Sequence, residues 1–210
     1  MTYQGVTIKN PGTVSIDASV KIGAGTVIEQ GTVLNGNTVI GENCRIGPYA
    51  VIEDCIIGNN CKIINSTLEN SALRDNVRVG PYAHIRAGCR LDNGAFVGAF
   101  TELKNTELGA GSLIPHLSYV GDAEVGAHVN IGCGCITANF SGVEKHKTAI
   151  GNDAFIGCNS VMVAPVNVGA GAVVGAGSVI TEDVPQDALA IARAKQSIKE
   201  DWANGREKNW

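Results

Sequence analysis

The chain has 210 residues, a formal net charge of −4 at pH 7, 27 glycines and only 5% aromatic residues. This length suits one domain with at most a small appendage, and the acidic balance argues against a nucleic acid or an anionic membrane as the main partner. No run of about 18 apolar residues is present, so we expect no membrane-spanning helix.

The cysteines and the first residues bear on the location of the protein. Cys133 and Cys135, in a set of seven cysteines, are too close together for a zinc pair of the usual spacing. Residues 1–5 lack a basic segment followed by an apolar one. We therefore expect no signal peptide, and reduced thiols in a cytoplasmic protein.

After a lead-in over residues 1–15, an aliphatic residue recurs every six positions. This period fits neither an amphipathic helix nor an alternating strand. It is typical of a parallel β-helix, in which three short strands make one triangular coil. Glycine and asparagine can supply the positive φ that its corners need. The positions are Ile16, Ile22, Ile28, Leu34, Ile40, Ile46 and Ile52; Val79, Ile85, Leu91, Val97 and Leu103; and Ile150, Ile156, Met162, Val168, Val174 and Ile180.

The fold class is therefore predicted to be all-β, a parallel β-helix of hexapeptide repeats with a protruding loop and a short C-terminal helix. Coils cover residues 16–136 and 148–184, about nine in all, within a domain spanning 1–187. Residues 137–149 break the hexads and form the loop. Residues 188–210 follow as an extended segment at 188–193 and a helix at 194–203, with Gly205 as its stop.

Two cations are predicted to stack on the wall of the β-helix. Ile85 and Leu103 lie one coil apart, so Arg86 lies below Lys104, with strands about 4.8 Å apart. Stacked cations repel unless an anion lies beside them, although two solvated surface charges are the simpler alternative. Val120 is the next equivalent aliphatic, and the same register groups the side chains of His84, Glu102 and Tyr119, with His116 at the adjoining corner.

A second column begins at His116. Each member lies two residues beyond an aliphatic anchor on one face, and above the imidazole the side chains are small for about 14 Å. This alignment assumes that the loop at 137–149 does not shift the register of the coils that follow it. A narrow channel of small residues suits a thin, extended ligand such as a pantetheine arm, although corners also require small residues. The members are His116, Cys133, Cys158 and Ala176.

Seven motifs carry a resemblance to a known family. They are PYAHIR at 81–86, TELK at 101–104, HLSYVGDAE at 116–124, NIGCG at 130–134, NFSG at 139–142, KHKT at 145–148 and AIAR at 190–193. Together they resemble the acetyltransferase domain of the bifunctional N-acetylglucosamine-1-phosphate uridyltransferase/glucosamine-1-phosphate N-acetyltransferase, from about Gly5 to Trp202. The family's uridyltransferase domain has no counterpart in these residues, so we expect no uridyl transfer from them.

The resemblance implies a left-handed β-helix that forms homotrimers, with sites between subunits to which a third chain can contribute Arg193. It also implies acetyl-CoA-dependent N-acetylation of glucosamine 1-phosphate without a metal. His116 is similar to the general base and Glu102 to the residue that orients its ring. The implied sugar-phosphate ligands are Arg86, Lys104, Tyr119, Asn130 and Lys145. The implied acetyl-CoA ligands are Cys133, whose N–H would meet the oxyanion, with Asn139, Phe140, Cys158, Ala176 and Arg193.

Some positions depart from the family pattern, and other functions compete with the implied one. The family usually has Asn where this chain has Ala99, Ala in place of Cys133, Tyr in place of Phe140, Asp in place of Ser141 and Ser in place of Cys158.

Hexapeptide proteins also include zinc enzymes such as γ-class carbonic anhydrases. Those enzymes have a pair of histidines five residues apart, which the four histidines of this chain lack. The remaining alternatives are N-acetylation of another amino sugar, including a nucleotide-linked one, and a non-catalytic sugar-phosphate-binding scaffold.

Overall fold

The computed structural model describes residues 4–204, which form a left-handed parallel β-helix. It contains 28 short strands, and every pairing between them is parallel. A 3-10 helix, Pro11–Thr13, lies between β1 and β2. The strands are β1 Thr7–Ile8, β2 Ser15–Ile16, β3 Lys21–Ile22, β4 Val27–Ile28, β5 Val33–Asn35, β6 Val39–Ile40, β7 Arg45–Ile46, β8 Val51–Glu53, β9 Ile56–Ile57, β10 Lys62–Ile63, β11 Thr67–Glu69, β12 Ala72–Leu73, β13 Arg78–Val79, β14 His84–Ile85, β15 Arg90–Leu91, β16 Phe96–Ala99, β17 Glu102–Leu108, β18 Leu113–His116, β19 Tyr119–Val125, β20 Asn130–Ile131, β21 Ile136–Ala138, β22 Thr148–Ile150, β23 Phe155–Ile156, β24 Val161–Val163, β25 Val166–Val168, β26 Val173–Val174, β27 Val179–Ile180 and β28 Leu189–Ala190.

The strands stack into three ladders, one on each face of a triangular prism. Face 1 is the eleven-stranded sheet from β1 to β28. Face 2 is the ladder that runs from β2 through β14, β17, β19 and β21 to β27, and face 3 runs from β3 through β15, β17, β19 and β22 to β25. The long strands β17 and β19 turn the corner between faces 2 and 3 and belong to both ladders.

The core of the prism is a column of aliphatic side chains, with one large side chain from each side of a coil. Ile28, Leu34 and Ile40 show the pattern, because each is at most 2% exposed while the residue before it faces outward. Alternation along a strand sends one of every two side chains inward, and burial of each contributes about 1.5–3 kcal/mol. The six-residue period is therefore the spacing at which one large aliphatic fills each side of each coil.

Hydroxyl and thiol groups at one inner corner column satisfy backbone groups of neighbouring coils. The Ser112 hydroxyl donates to Gly126 O at 2.7 Å and accepts from Val129 N–H at 2.9 Å. Cys44 occupies the same column and donates to Gly58 O at 3.1 Å. Five of the seven cysteines are buried, and all seven are free thiols. The buried cysteines therefore act as structural counterparts of serine.

We expect Ser112→Ala to lower the free energy of unfolding by about 1–3 kcal/mol, because it leaves two buried backbone groups unpaired. Ser112→Cys should cost less, because cysteine already serves that column. Urea unfolding followed by circular dichroism measures both variants. Equal losses in the two variants would contradict this account of the corner.

Both ends of the β-helix differ from the sequence prediction. The predicted lead-in is part of the first coil, since β1 pairs with β4, and the extended exit supplies the last face 1 strand, since β28 pairs with β26. Face 1 therefore marks ten turns from β1 to β28 rather than about nine. The predicted helix at 194–203 is wrong: its residues are exposed and contain only turns at 200–203. A segment this short needs a packed apolar face to stay helical.

The loop is narrower than predicted. Thr137 and Thr148 are buried strand residues, so only residues 139–147 leave the prism. Gly205 and the tail after it lie outside the described residues. Among the helices of residues 4–204, none has the length and apolarity to cross a membrane.

Candidate active site

The predicted cation pair lies at the edge of face 2. Ile85 pairs with Leu103, and the Arg86 N–H donates to Leu103 O at 2.9 Å, which confirms the stacking of Arg86 beside Lys104. The Arg86 guanidinium donates to Glu102 Oε1 at 2.9 Å. One carboxylate therefore compensates one of the two stacked cations.

Lys145 reaches the same cluster from the loop. Its amino group lies against that of Lys104, and this contact lowers the pKa of Lys104. The same contact, together with the carboxylate of Asp122 at 3.7 Å, raises the pKa of Lys145. Of the two ammonium groups, that of Lys104 therefore loses its proton at the lower pH.

Tyr119 completes the cluster on the next coil. It pairs with Glu102 in the register of β17 and β19, as the hexad spacing predicted. Its hydroxyl lies 3.5 Å from the Asn139 Nδ2 atom. A Cβ at Gly121 would collide with both groups, so the glycine makes room for this approach. Arg86, Lys104, Tyr119 and Lys145 thus lie in one cluster, and their role as sugar-phosphate ligands stays a prediction.

Asp122 lies beneath the cluster and was not among the predicted site residues. It is 8% exposed and stacks between Asn105 and Asn139 at one corner of three successive coils. Its Oδ1 accepts from Asn105 Nδ2 at 2.7 Å, and its Oδ2 accepts from Asn139 Nδ2 at 2.5 Å. The 17-residue spacing of these three positions is visible in the sequence, but Asn and Asp at corners are ordinarily explained by turn formation.

Burial acts to raise the pKa of the Asp122 carboxyl group. Hydrogen bonds from Asn105 and Asn139 and the charge of Lys145 outweigh burial and lower that pKa below its ordinary value. The group is therefore an anion at neutral pH. The cluster accordingly contains three cationic side chains and two carboxylates.

The loop at 139–147 folds back onto the prism through several contacts. Phe140 and Lys145 form an antiparallel bridge, and the His146 N–H donates to Asn139 O at 2.8 Å. Lys147 pairs with Glu124 on face 3 at 2.7 Å. Phe140, a predicted acetyl-CoA contact, is 60% exposed. The loop therefore presents an aromatic side chain outward while its base is held at Asp122.

The predicted column above His116 forms with the expected register. Leu113 pairs with Asn130, and the next two coils pair Ile131 with Ile156 and Ile156 with Val174. These pairings place the next members two residues beyond each anchor: Cys133, Cys158 and Ala176. The loop therefore does not shift the register of the coils that follow it.

Exposure and contacts suit a groove along this column. His116, Cys158 and Ala176 are exposed, and Cys133 is partly exposed. The Arg193 guanidinium donates to the Ala176 carbonyl, which places a cation at the far end of the column within the same chain. Among residues 4–204, the Cys133 N–H has no hydrogen-bond acceptor. These features agree with a groove for an extended, anionic ligand.

Three predicted roles find no matching contact in this chain. Glu102 is bonded to Arg86, and within the described chain the His116 imidazole makes no hydrogen bond to it. The reason is topological: His116 ends face 1, whereas Glu102 begins face 2. Asn130 lies on face 1, and Asn139 uses its amide nitrogen on Asp122 and Tyr119. The roles of Glu102, Asn130 and Asn139 stay predictions.

The histidines do not assemble into a metal site. His84 lies 3.3 Å from Glu69, and His146 lies 3.8 Å from Glu144. Over residues 4–204, no group of three or more His, Cys, Asp or Glu side chains could hold a metal ion. The described residues therefore form a cluster of charged side chains beside an open column of small residues.

Comparison with known proteins supports a hexapeptide-repeat assignment. Residues 37–65 match the family described as bacterial transferase hexapeptide (six repeats), and residues 147–182 match the hexapeptide repeat of succinyl-transferase. The acetyltransferase domain of PglB from Neisseria gonorrhoeae, solved in complex with acetyl coenzyme A, is 24% identical with a TM-score of 0.51. That match covers 56% of this chain and 55% of the solved domain's chain, and it supports the fold.

Relatives with higher identity share the name bifunctional protein GlmU. The protein from Caldanaerobacter subterraneus subsp. tengcongensis is 52% identical over 204 residues, which is 97% of this chain and 45% of that protein. The protein from Geobacillus sp. (strain WCH70) is 52% identical over 200 residues, 95% of this chain and 44% of that protein. The chain therefore spans less than half the length of these relatives.

Proposed function

We propose, from the premise that this chain is a hexapeptide-repeat homologue of part of bifunctional protein GlmU, that it transfers an acetyl group from acetyl-CoA to the 2-amino group of glucosamine 1-phosphate. The product is N-acetylglucosamine 1-phosphate, a precursor for UDP-N-acetylglucosamine. Uridyl transfer is not part of the proposal. The observation that carries it is the gathering of Arg86, Lys104 and Lys145 around Tyr119, next to the face that bears the His116 column.

The cation cluster suits a sugar phosphate. A phosphate offers several acceptor oxygens, and charge-assisted hydrogen bonds to them are stronger than neutral ones. Arg86 presents a planar guanidinium and the two lysines present compact ammonium groups, so they complement a phosphate from different directions. Part of their mutual repulsion is relieved when an anion binds among them.

The His116 column suits the co-substrate. An acetyl group on a pantetheine arm is thin and extended, and the column offers small side chains beside an imidazole. Arg193, which contacts Ala176, lies where it can bind the phosphates of CoA. The PglB domain was solved with acetyl coenzyme A, and we propose the same co-substrate here.

The chemistry follows from these groups. His116 takes a proton from the 2-ammonium of the sugar, which frees its lone pair. The amine attacks the thioester carbonyl, forming the C–N bond, and the Cys133 N–H stabilises the oxyanion. The nitrogen gives up its second proton to solvent as the tetrahedral intermediate collapses and the C–S bond breaks. CoA leaves as a thiolate and takes the first proton from His116, so the products are the amide, free CoA thiol and one released proton. No metal is required for these steps.

We also propose a homotrimer with sites between neighbouring prisms. The site residues lie on an open wall, since His116, Cys158 and Ala176 are all exposed, and an open wall cannot exclude water from a thioester. Closed cyclic symmetry is usual for homo-oligomers. Seven free thiols suit a reducing compartment, and we propose the cytoplasm.

Release of free CoA thiol from acetyl-CoA tests the function. Glucosamine 1-phosphate, glucosamine 6-phosphate and a UDP-linked amino sugar are compared as acceptors under identical conditions. We expect the 1-phosphate to give the highest kcat/KM. A preference for the UDP-linked sugar would replace the proposed acceptor, and no release with any acceptor would favour a binding scaffold.

Bound acetyl-CoA is expected to protect Cys158 from alkylation. Cys158 is exposed, whereas Cys44 and the other core thiols are buried, so iodoacetamide should label Cys158 first. Acetyl-CoA at about a hundredfold excess over its Kd should slow this labelling at least about tenfold. Peptide mass spectrometry measures the rate, with glucosamine 1-phosphate alone as the control ligand. Unchanged labelling would remove the column from the proposed groove.

A further inference from the structure

The buried carboxylate at the corner of faces 2 and 3 suggests a further role. We infer that Asp122 is the positioning residue that holds the Lys145 ammonium in the phosphate site and ties the loop at 139–147 to the prism. This inference rests on the proposed function, because it concerns the same anion site. Asp122 itself does not contact the substrate, since it is 8% exposed and both of its oxygens have partners within the chain.

The contacts of Asp122 join three parts of the molecule. Asn105 belongs to β17, Asn139 begins the loop, and Lys145 ends the loop's antiparallel bridge. Asn139 also donates to the Tyr119 hydroxyl. A single carboxylate therefore connects the loop, the corner and the phenol of the proposed site. Loss of its charge should let Lys145 move away, because Lys104 repels it.

The charges around the two lysines determine the direction in which loss of the Asp122 charge changes their pKa values. Lys145 faces Asp122, Lys104 and Tyr119, and Lys104 faces Lys145, Arg86 and Asp122. Asp122 is the carboxylate that favours the charged form of both lysines. Its removal should lower the pKa of each lysine. Both should then become neutral, and more reactive as amines, at a lower pH than in the parent protein.

A purely structural role for Asp122 is the competing explanation. The backbone there has φ +50°, which aspartate, asparagine and glycine tolerate well. Asp54 offers a matched control at an equivalent corner, also with φ +50°. Its carboxylate accepts from the Asn37 N–H at 2.8 Å instead of facing a lysine. Asp54→Asn therefore measures the effect of losing a carboxylate at a corner. Asp122→Asn measures that effect together with the loss of the charge that faces Lys145.

The first test is steady-state kinetics of the full chain with glucosamine 1-phosphate. Asp122→Asn is expected to raise its KM about three- to tenfold, with kcat and the KM for acetyl-CoA changed less than about twofold. The alkaline limb of the pH profile of kcat/KM should move to lower pH.

In a Lys145→Ala background, Asp122→Asn should raise the KM for glucosamine 1-phosphate little further, because the effect passes through Lys145. If Asp122→Asn does not fold, Asp122→Gly replaces it, since Gly88 already occupies that corner with φ +83°.

The second test needs no substrate, so it separates this inference from the proposed function. Trinitrobenzenesulfonate labelling of Lys145 is followed by peptide mass spectrometry as a function of pH, with Lys21 as an internal reference. We expect Asp122→Asn to shift the onset of Lys145 labelling to lower pH and Asp54→Asn to leave it in place. Equal onsets in both variants, or a lower KM in Asp122→Asn, would overturn the inference. If the parent shows no acetyl transfer, only the proposed function fails, and the labelling result still decides the role of Asp122.

Discussion

Replacement of His116 by alanine is expected to lower kcat by about 10²- to 10⁴-fold, the usual contribution of a positioned general base. The sugar's amino group is an ammonium at neutral pH and cannot attack a thioester until it loses a proton. His116 ends β18 with an exposed imidazole at the head of the proposed acetyl-CoA column. Without it, solvent must take the proton, so the chemical step slows while the groove stays intact.

The His116→Ala measurement needs both turnover and cofactor binding. Calorimetry should give a Kd for acetyl-CoA within about twofold of the parent value, since the imidazole is not a principal binding contact. His128→Asn is the matched control, because His128 is an exposed corner histidine with φ +57°, a conformation that asparagine tolerates. Near-normal turnover in His116→Ala would remove the base assignment.

Replacement of Arg86 or Lys104 by alanine is expected to raise the KM for glucosamine 1-phosphate about 10- to 100-fold, with a smaller change in kcat. A hydrogen bond to a charged group contributes about 1.5–3 kcal/mol, which corresponds to this range. Arg86 carries a further consequence, because its removal leaves Glu102 without its 2.9 Å partner. The freed carboxylate would then repel the phosphate, so Arg86→Ala should have the larger effect.

Lys62→Ala is the control for these two variants, because Lys62 is an exposed lysine of the prism on face 1. Its KM for the sugar phosphate should match the parent value. Initial rates at varied sugar phosphate and saturating acetyl-CoA give the comparison. An unchanged KM in both Arg86→Ala and Lys104→Ala would point to a substrate without a phosphate.

Register is the part of the site that could be read from the spacing alone. Ile85, Leu103 and Val120 are successive anchors of one face. Counting residues from these anchors was therefore enough to predict the stacking of Arg86, Lys104, Glu102 and Tyr119. The same counting placed the groove residues above His116, across a loop whose length did not matter. Counting succeeds because each coil must fill its core with three aliphatic side chains, which leaves the chain little freedom to slip.

Side-chain partners and departures from the repeat required the folded molecule. The resemblance assigned Glu102 to the His116 ring, whereas in this chain Arg86 takes the carboxylate, and the role of Glu102 stays a prediction. The composition of residues 194–203 favoured a helix, and the structure has none there. Ion pairs and isolated segments depend on neighbours that the repeat does not specify.

The amino-acid sequence by itself determined the β-helix, its register and the vertical order of the candidate site residues, because a six-residue period admits one way to bury its aliphatic positions. Only the tertiary structure decided that Asp122 lies beneath the cations, that the loop brings Lys145 against Lys104, and that Arg193 contacts Ala176. These contacts join segments that break the period, and their geometry depends on how the chain folds back onto the prism.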